Sequence, residues 1–217
     1  MAIIVKASKN ISEPSGKMRE TIVLESERTG DSRLEISEIF VPKNNRVLFE
    51  NPVNEISIFH VLSGSGHWES QHFANNHVAF LPENQKASFS AGFATNILKT
   101  TVKDFMRYEK ADNISSREFK IVNWFDEPVL QSEHDDRKRV YIATKNLLGT
   151  SAIKGEVIIY PPNTEAPSHY HVGAEHFQYV LAGSGIAKLD GKAHLGIERL
   201  VAAGPGSIVI AILGHRR

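Results

Sequence analysis

The chain has 217 residues, lysine plus arginine balanced against aspartate plus glutamate at 25 each, and no cysteine. That balance offers no field to attract nucleic acid or an anionic membrane, and the lack of thiols removes disulfides, a thiol nucleophile and thiolate metal ligands, so any metal must sit on nitrogen or oxygen. The length allows one large β domain or two small ones; no apolar run of about 18 residues occurs and Met1 to Lys6 lacks a signal-peptide stretch, so a cytoplasmic protein without nucleic-acid or membrane partners is expected.

In chain order, short β-branched and aromatic runs bounded by Gly, Pro, Asn and Ser predict strands at Thr21 to Leu24, Glu38 to Val41, Ser57 to Leu62 and His77 to Leu81. The segment Thr101 to Asn113 is the best helix candidate, but it is short and charged and reads as a connector. Strand-like runs resume at Val140 to Ala143, Glu156 to Tyr160, Phe177 to Leu181 and Ser207 to Leu213. The fold class is therefore all-β, a sandwich or barrel.

A shift of 119 residues aligns the chain with itself without a gap. Ile39 falls on Ile158, Pro42 on Pro161, Asn44 on Asn163, Val61-Leu62 on Val180-Leu181, and Gly64-Ser65-Gly66 on Gly183-Ser184-Gly185. The matches lie on turn residues and strand apolars, where backbone geometry dictates residue type, so two copies of one fold are expected. Residues 1–108 form the first, 109–122 a linker and 123–217 the second.

The second copy carries His169-Tyr170-His171 and then His176. In an extended strand His169 and His171 project from one face and can grip one ion. With the repeat, these residues resemble the cupin superfamily, specifically a two-domain bicupin of tandem jelly-roll barrels. Its first motif runs Gly, five residues, His-x-His, three or four residues, Glu, six residues, Gly. Asn163 stands at the leading glycine, a residue that tolerates positive φ, His169 and His171 follow at the family spacing, and Gly183 closes the motif. The slot usually held by glutamate is His176, with Glu175 one position earlier. Either His176 points inward with Gln178 and Val180, or Glu175 does with Phe177 and Tyr179; the glycine register favours His176. The second motif reads Gly204 to His215, with Ile210 and Ile212 in place of its proline and glycine. The chain then stops at Arg217, so either the closing strands are missing or a segment such as Ile3 to Ala7 completes the sheet, an open apolar edge being an aggregation hazard.

The first copy keeps the scaffold without the ligands. Glu50, Pro52 and Ser57 occupy the positions of His169, His171 and His176, and Ala87 the histidine position of the second motif. His60, His67, His72 and His77 lie off the motif and read as ordinary surface or strand residues, as does His194; Tyr170 reads as packing and Glu165 as solvated.

The resemblance implies one divalent transition metal in the second domain, held by His169, His171, His176 and His215, with Glu175 the alternative to His176. An imidazole shell suits Fe(II), Zn, Ni, Cu or Mn, with Fe(II) favoured, and three firm ligands leave positions open for substrate. Gln178, beside His176, is the candidate to orient a substrate. By this resemblance the chain is a metal-dependent enzyme acting on a small molecule, a dioxygenase or other oxidoreductase, assembled as a homodimer. A non-redox isomerase, cyclase or lyase and a non-catalytic metabolite-binding or structural bicupin are the alternatives, because fold alone does not choose between them.

Overall fold

The computed structural model describes residues 16–24, 34–109, 117–133, 135–166, 174–189, 192–198 and 207–215. Its first part supplies β1 (Arg19–Leu24), β2 (Leu34–Val41), β3 (Arg46–Glu50), β4 (Glu55–Ser63), β5 (Ser65–Trp68), β6 (Gln71–Ala74), β7 (His77–Leu81), β8 (Lys86–Ala91), β9 (Thr95–Lys103) and β10 (Lys120–Asn123). The second supplies β11 (Leu130–Gln131), β12 (Lys138–Ala143), a single helical turn α1 (Lys145–Leu148), β13 (Ile153–Tyr160), β14 (Ala174–Ala182), β15 (Ser184–Leu189), β16 (Lys192–Glu198) and β17 (Ser207–His215). Over its described residues, 101–109, the helix candidate Thr101 to Asn113 contains no α-helix. The alternating, β-branched run Thr100-Thr101-Val102 continues β9 between β2 and β4, and a 3-10 turn at Phe105–Arg107 ends the segment. The stretch read as a linker contains the start of β10, which pairs with β7.

Three sheets stack around two apolar layers. A six-stranded sheet, ordered β1-β2-β9-β4-β7-β10, lies between a four-stranded sheet, β3-β8-β5-β6, and a five-stranded sheet, β11-β12-β13-β17-β14; β15 and β16 pair as a hairpin. The period of two in β4 sorts its residues between the layers. Phe59 and Val61 join Phe49, Trp68, Phe73 and Phe89 on one side, where the Phe49 and Trp68 rings lie 4.8 and 5.0 Å from that of Phe59. Ile56 and Ile58 join Ile142, Ile153 and Val157 of the five-stranded sheet on the other. The central sheet thus contributes buried apolar residues on both faces.

The internal repeat extends to the backbone. Arg19–Leu24, Leu34–Val41 and Glu55–Ser63 recur 119 residues on as Lys138–Ala143, Ile153–Tyr160 and Ala174–Ala182. The register irregularity at Ile22/Leu24 recurs at Tyr141/Ala143, and that at Val61/Ser63 recurs at Val180/Ala182. Asn44 and Asn163, which occupy equivalent turns, have φ of 65° and 62°, the left-handed conformation asparagine adopts at low cost.

The last strand is not an edge. β17 lies between β13 and β14 and pairs with both along its length, as β9 lies between β2 and β4. β17 is thus paired on both sides and β14 ends the sheet; Ile3 to Ala7 lies outside the described residues.

Candidate functional site

On β12, β13 and β14 of the five-stranded sheet, strand alternation decides which residues face the central sheet and which face away, and the outward row carries most of the polar side chains. On β13, Ile153 and Val157 face the central sheet. On β14, Phe177 and Leu181 pack with Tyr179 against Ile36 and Leu98, and the buried Tyr179 hydroxyl donates to Glu38 Oε1 at 2.7 Å. Burying that row turns His176, Gln178 and Val180 to the opposite face, where His176 and Gln178 are exposed. The same parity places Lys154, Glu156 and Ile158 of β13 and Arg139 and Tyr141 of β12 on the polar face.

Strand register arranges these groups in rows. Lys154 and His176 both pair with residue 213, on opposite sides of β17. Glu156 and Gln178 both pair with residue 211, and Tyr141 stands opposite Glu156. His215 pairs with Ala174, one diagonal step from His176 on the neighbouring strand, so the two histidine positions share a parity and one end of the sheet. Polar residues collect at that end, and Ile158 and Val180 hold the other.

The charges are unequally satisfied. Arg139 Nη1 lies 3.6 Å from Glu156 Oε2, an oxygen that is buried and accepts no hydrogen bond. Lys154 Nζ sits 4.7 Å above the Tyr141 ring, and among the described residues no carboxylate reaches it. Nearby, Arg137 forms a two-pronged contact with Asp135, its Nε donating at 2.8 Å, and that guanidinium holds the Asp135 carboxyl well below the usual range.

No protein-family model and no curated protein matches the chain. Solved structures do. The E. coli protein Ylba superposes with a TM-score of 0.65 at 14% identity, over 97% of this chain and 87% of that one. A cupin 2 conserved barrel domain protein from Leptotrichia buccalis matches with a TM-score of 0.60 at 14% identity, over 94% and 92% of the two chains. A Bacillus subtilis oxalate decarboxylase variant matches at 0.58 and 11%, over 92% and 73%. The fold is a cupin fold.

Within the cupin fold, the expected site residues fall as follows. His169 and His171, with Tyr170 between them, lie outside the described residues. Glu175 has the parity opposite to His176, pairing with residue 214. Gln178 shares the face of His176. His215 stands in β17, the counterpart of β9, and so corresponds topologically to Lys103 and not to Ala87, which lies in β8 opposite Phe49. The reason is that β17 follows the second-motif segment and enters the middle of the sheet. Among the described residues no group of three or more His, Asp or Glu side chains is placed to hold a metal.

In the first part of the chain the equivalent positions are closed. Ser57 is buried and donates to Asn51 Oδ1 at 2.9 Å, and Glu50 pairs with Lys86 at 2.9 Å. His67 and His72 face each other across the β5–β6 hairpin with rings 5.6 Å apart. Sequence reasoning passed over Arg139, Tyr141, Lys154 and Glu156. Their signal was the period of two in β12 and β13, which groups them on one face, combined with the repeat, which places His176 on a strand of the same sheet.

Proposed function

We propose that the two parts of the chain are tandem cupin domains and that the second is a metal-dependent enzyme acting on a small molecule, an Fe(II)-type dioxygenase or other oxidoreductase. The tandem reading is supported by strands, pairings and irregularities that repeat at one offset. The single observation that carries the enzymatic reading is the polar face of β12–β14. It holds His176 and the register position of His215 at one end, where the first part of the chain has Ser57 and Lys103.

The donor chemistry at that end fits a divalent ion. His176 would hold it together with His215 and with His169 and His171 of the preceding segment, all through neutral imidazole nitrogen. When bound, such an ion supplies Lewis acidity and, if it is ferrous iron, electrons for dioxygen. Gln178 lies two residues along the strand from His176 and can orient a substrate through its amide. Ile158 and Val180 offer an apolar surface at the opposite end of the face.

The buried Glu156 oxygen, which lacks a hydrogen-bond donor, favours a second reading. A carboxylate so placed can take a proton from a bound substrate, as an isomerase or lyase requires. Turnover without oxygen separates the two, because an oxygenase stops and an isomerase does not. The first test is metal analysis of protein purified without added metal. About one transition-metal ion per chain is expected, lost in His171→Ala and His176→Ala; either variant retaining a full complement would refute the ligand set.

A further inference from the structure

We infer that the polar face of β12–β14 is a binding site for a small carboxylic acid that carries a hydroxyl or amino group, with Lys154 taking the carboxylate and Glu156 accepting a hydrogen bond from the donor. This deepens the proposed enzymatic function by naming its substrate class. It stands on the residual charge and on an internal comparison.

The charge argument starts from Lys154. Its ammonium is half-buried over the Tyr141 ring, whereas the Arg139 guanidinium is already matched by Glu156 at 3.6 Å. One positive charge is left over on this face among the described residues. A cation partly withdrawn from water is stabilised most by an anion it can touch, and a carboxylate accepts a short, charge-assisted hydrogen bond from an ammonium. Two residues along the same strand and face, Glu156 Oε2 is buried and accepts no hydrogen bond. It is complementary to a hydroxyl or ammonium hydrogen on the same small molecule. The far side of the site is set by β14. Two strand spacings, roughly 10 Å of backbone, separate Lys154 and Glu156 from His176 and Gln178, with the register positions of Leu213 and Ala211 on β17 between them, so the ligand would lie over the sheet and span from one pair toward the other.

The internal repeat supplies the control. The residues equivalent to Arg139, Lys154 and Glu156 are Glu20, Glu35 and Ser37. There Ser37 Oγ donates to Glu20 Oε1 at 2.6 Å, and Lys103 Nζ reaches Glu35 Oε2 at 2.6 Å. The first part of the chain has matched these polar groups to one another. In the second, Arg139 and Glu156 still meet at 3.6 Å, but among the described residues Lys154 has no carboxylate partner and Glu156 Oε2 accepts no hydrogen bond, which is the difference between a face built to be stable and one built to receive a ligand.

The test titrates the full-length protein by NMR with glycolate, glycolamide and acetate, recording metal content in the same samples. Glycolate is expected to bind; glycolamide, which lacks the charge, at least about tenfold more weakly; and acetate, which lacks the hydroxyl, measurably more weakly. Lys154→Met should weaken glycolate binding about tenfold while Lys154→Arg largely restores it, and Ser37→Ala should change nothing. Equal binding of glycolate and glycolamide, or full affinity in a folded Lys154→Met protein, would overturn the assignment. Metal bound through His176 with no glycolate binding defeats this inference and leaves the metal reading intact. Glycolate binding through Lys154 in a protein that takes up no metal does the reverse.

Discussion

His60 and Tyr179 occupy equivalent positions of the repeat and face the same interface between sheets, yet they meet burial differently. Tyr179 donates to the buried carboxylate of Glu38, so both polar groups are matched. The Nδ1 atom of His60 has no partner, and burial pushes its imidazole down from 6.5 to about 4. The folded state therefore binds a proton less readily than the unfolded chain. The stability that follows is fully present above about pH 6.5 and is lost as the pH falls from there toward 4. Going from about pH 7.5 to about pH 5, this group should cost about 2 kcal/mol, read as a fall in the urea midpoint. The His60→Leu protein should lose that part of the pH dependence; an unchanged profile would show that the imidazole finds a partner. For Tyr179→Phe, removing the donor to Glu38 should cost about 1–3 kcal/mol at neutral pH by denaturant titration. A loss within error would mean water replaces the hydroxyl.

At the scale of elements, β5 and β15 are equivalent in sequence but differently enclosed. A Cβ on Gly66 would clash with Ser90 O and lie 2.5 Å from Phe89 Cζ, whereas among the described residues nothing lies within 4 Å of one built on Gly185. The first hairpin is pressed onto the aromatic layer of Trp68 and Phe89, and Gly185 is exposed. Gly66→Ala should therefore destabilise by about 1–3 kcal/mol or more through overpacking, and Gly185→Ala by a few tenths. Thermal melts of the two variants check this, and equal losses would contradict the asymmetry. The aromatic layer was legible as strand-forming residues. Its closeness to Gly66 was not, because it depends on the pairing of β5 with β8, which are separated along the chain.

For the molecule as a whole, the connection between the two parts is locked by charge. Arg117 donates through Nε and Nη2 to Glu83, the latter at 2.6 Å, stacks over the Phe105 ring at 4.7 Å, and lies 3.7 Å from Glu109. Glu109 in turn accepts from Thr150 and from Ser151 Oγ at 3.0 Å. The network ties the β7–β8 turn, the connector and the entrance to β13 together, with the Arg117 and Glu109 side chains only 5% exposed. Arg117→Met would leave Glu109 and Glu83 without their cation at a cost of about 3–5 kcal/mol, measured by chemical denaturation. A loss below about 1 kcal/mol would show that the carboxylates are stabilised by other groups. Neither the Glu83–Arg117 pair nor the Glu109–Thr150 hydrogen bond could be assigned from the sequence, since residues separated by more than 30 positions give no local pattern.

The sequence by itself determined the strand periodicity, the two-copy repeat with its asparagine turns, the exclusion of thiol chemistry and the set of histidines at motif spacing. Each of these is a local property, set by side-chain shape, φ preference or residue type. It also marked His176 and Gln178 as sharing a face, because alternation along a strand needs no partner. Only the tertiary structure decided which face that was, since the burial of Phe177, Tyr179 and Leu181 against the central sheet turns the other row outward. It alone placed β17 between β13 and β14, changed the counterpart of His215 from Ala87 to Lys103, and set Arg139, Tyr141, Lys154 and Glu156 on the sheet face that carries His176. Pairing between distant strands is a long-range choice, made by the apolar surface buried between whole sheets and not by any short stretch of residues.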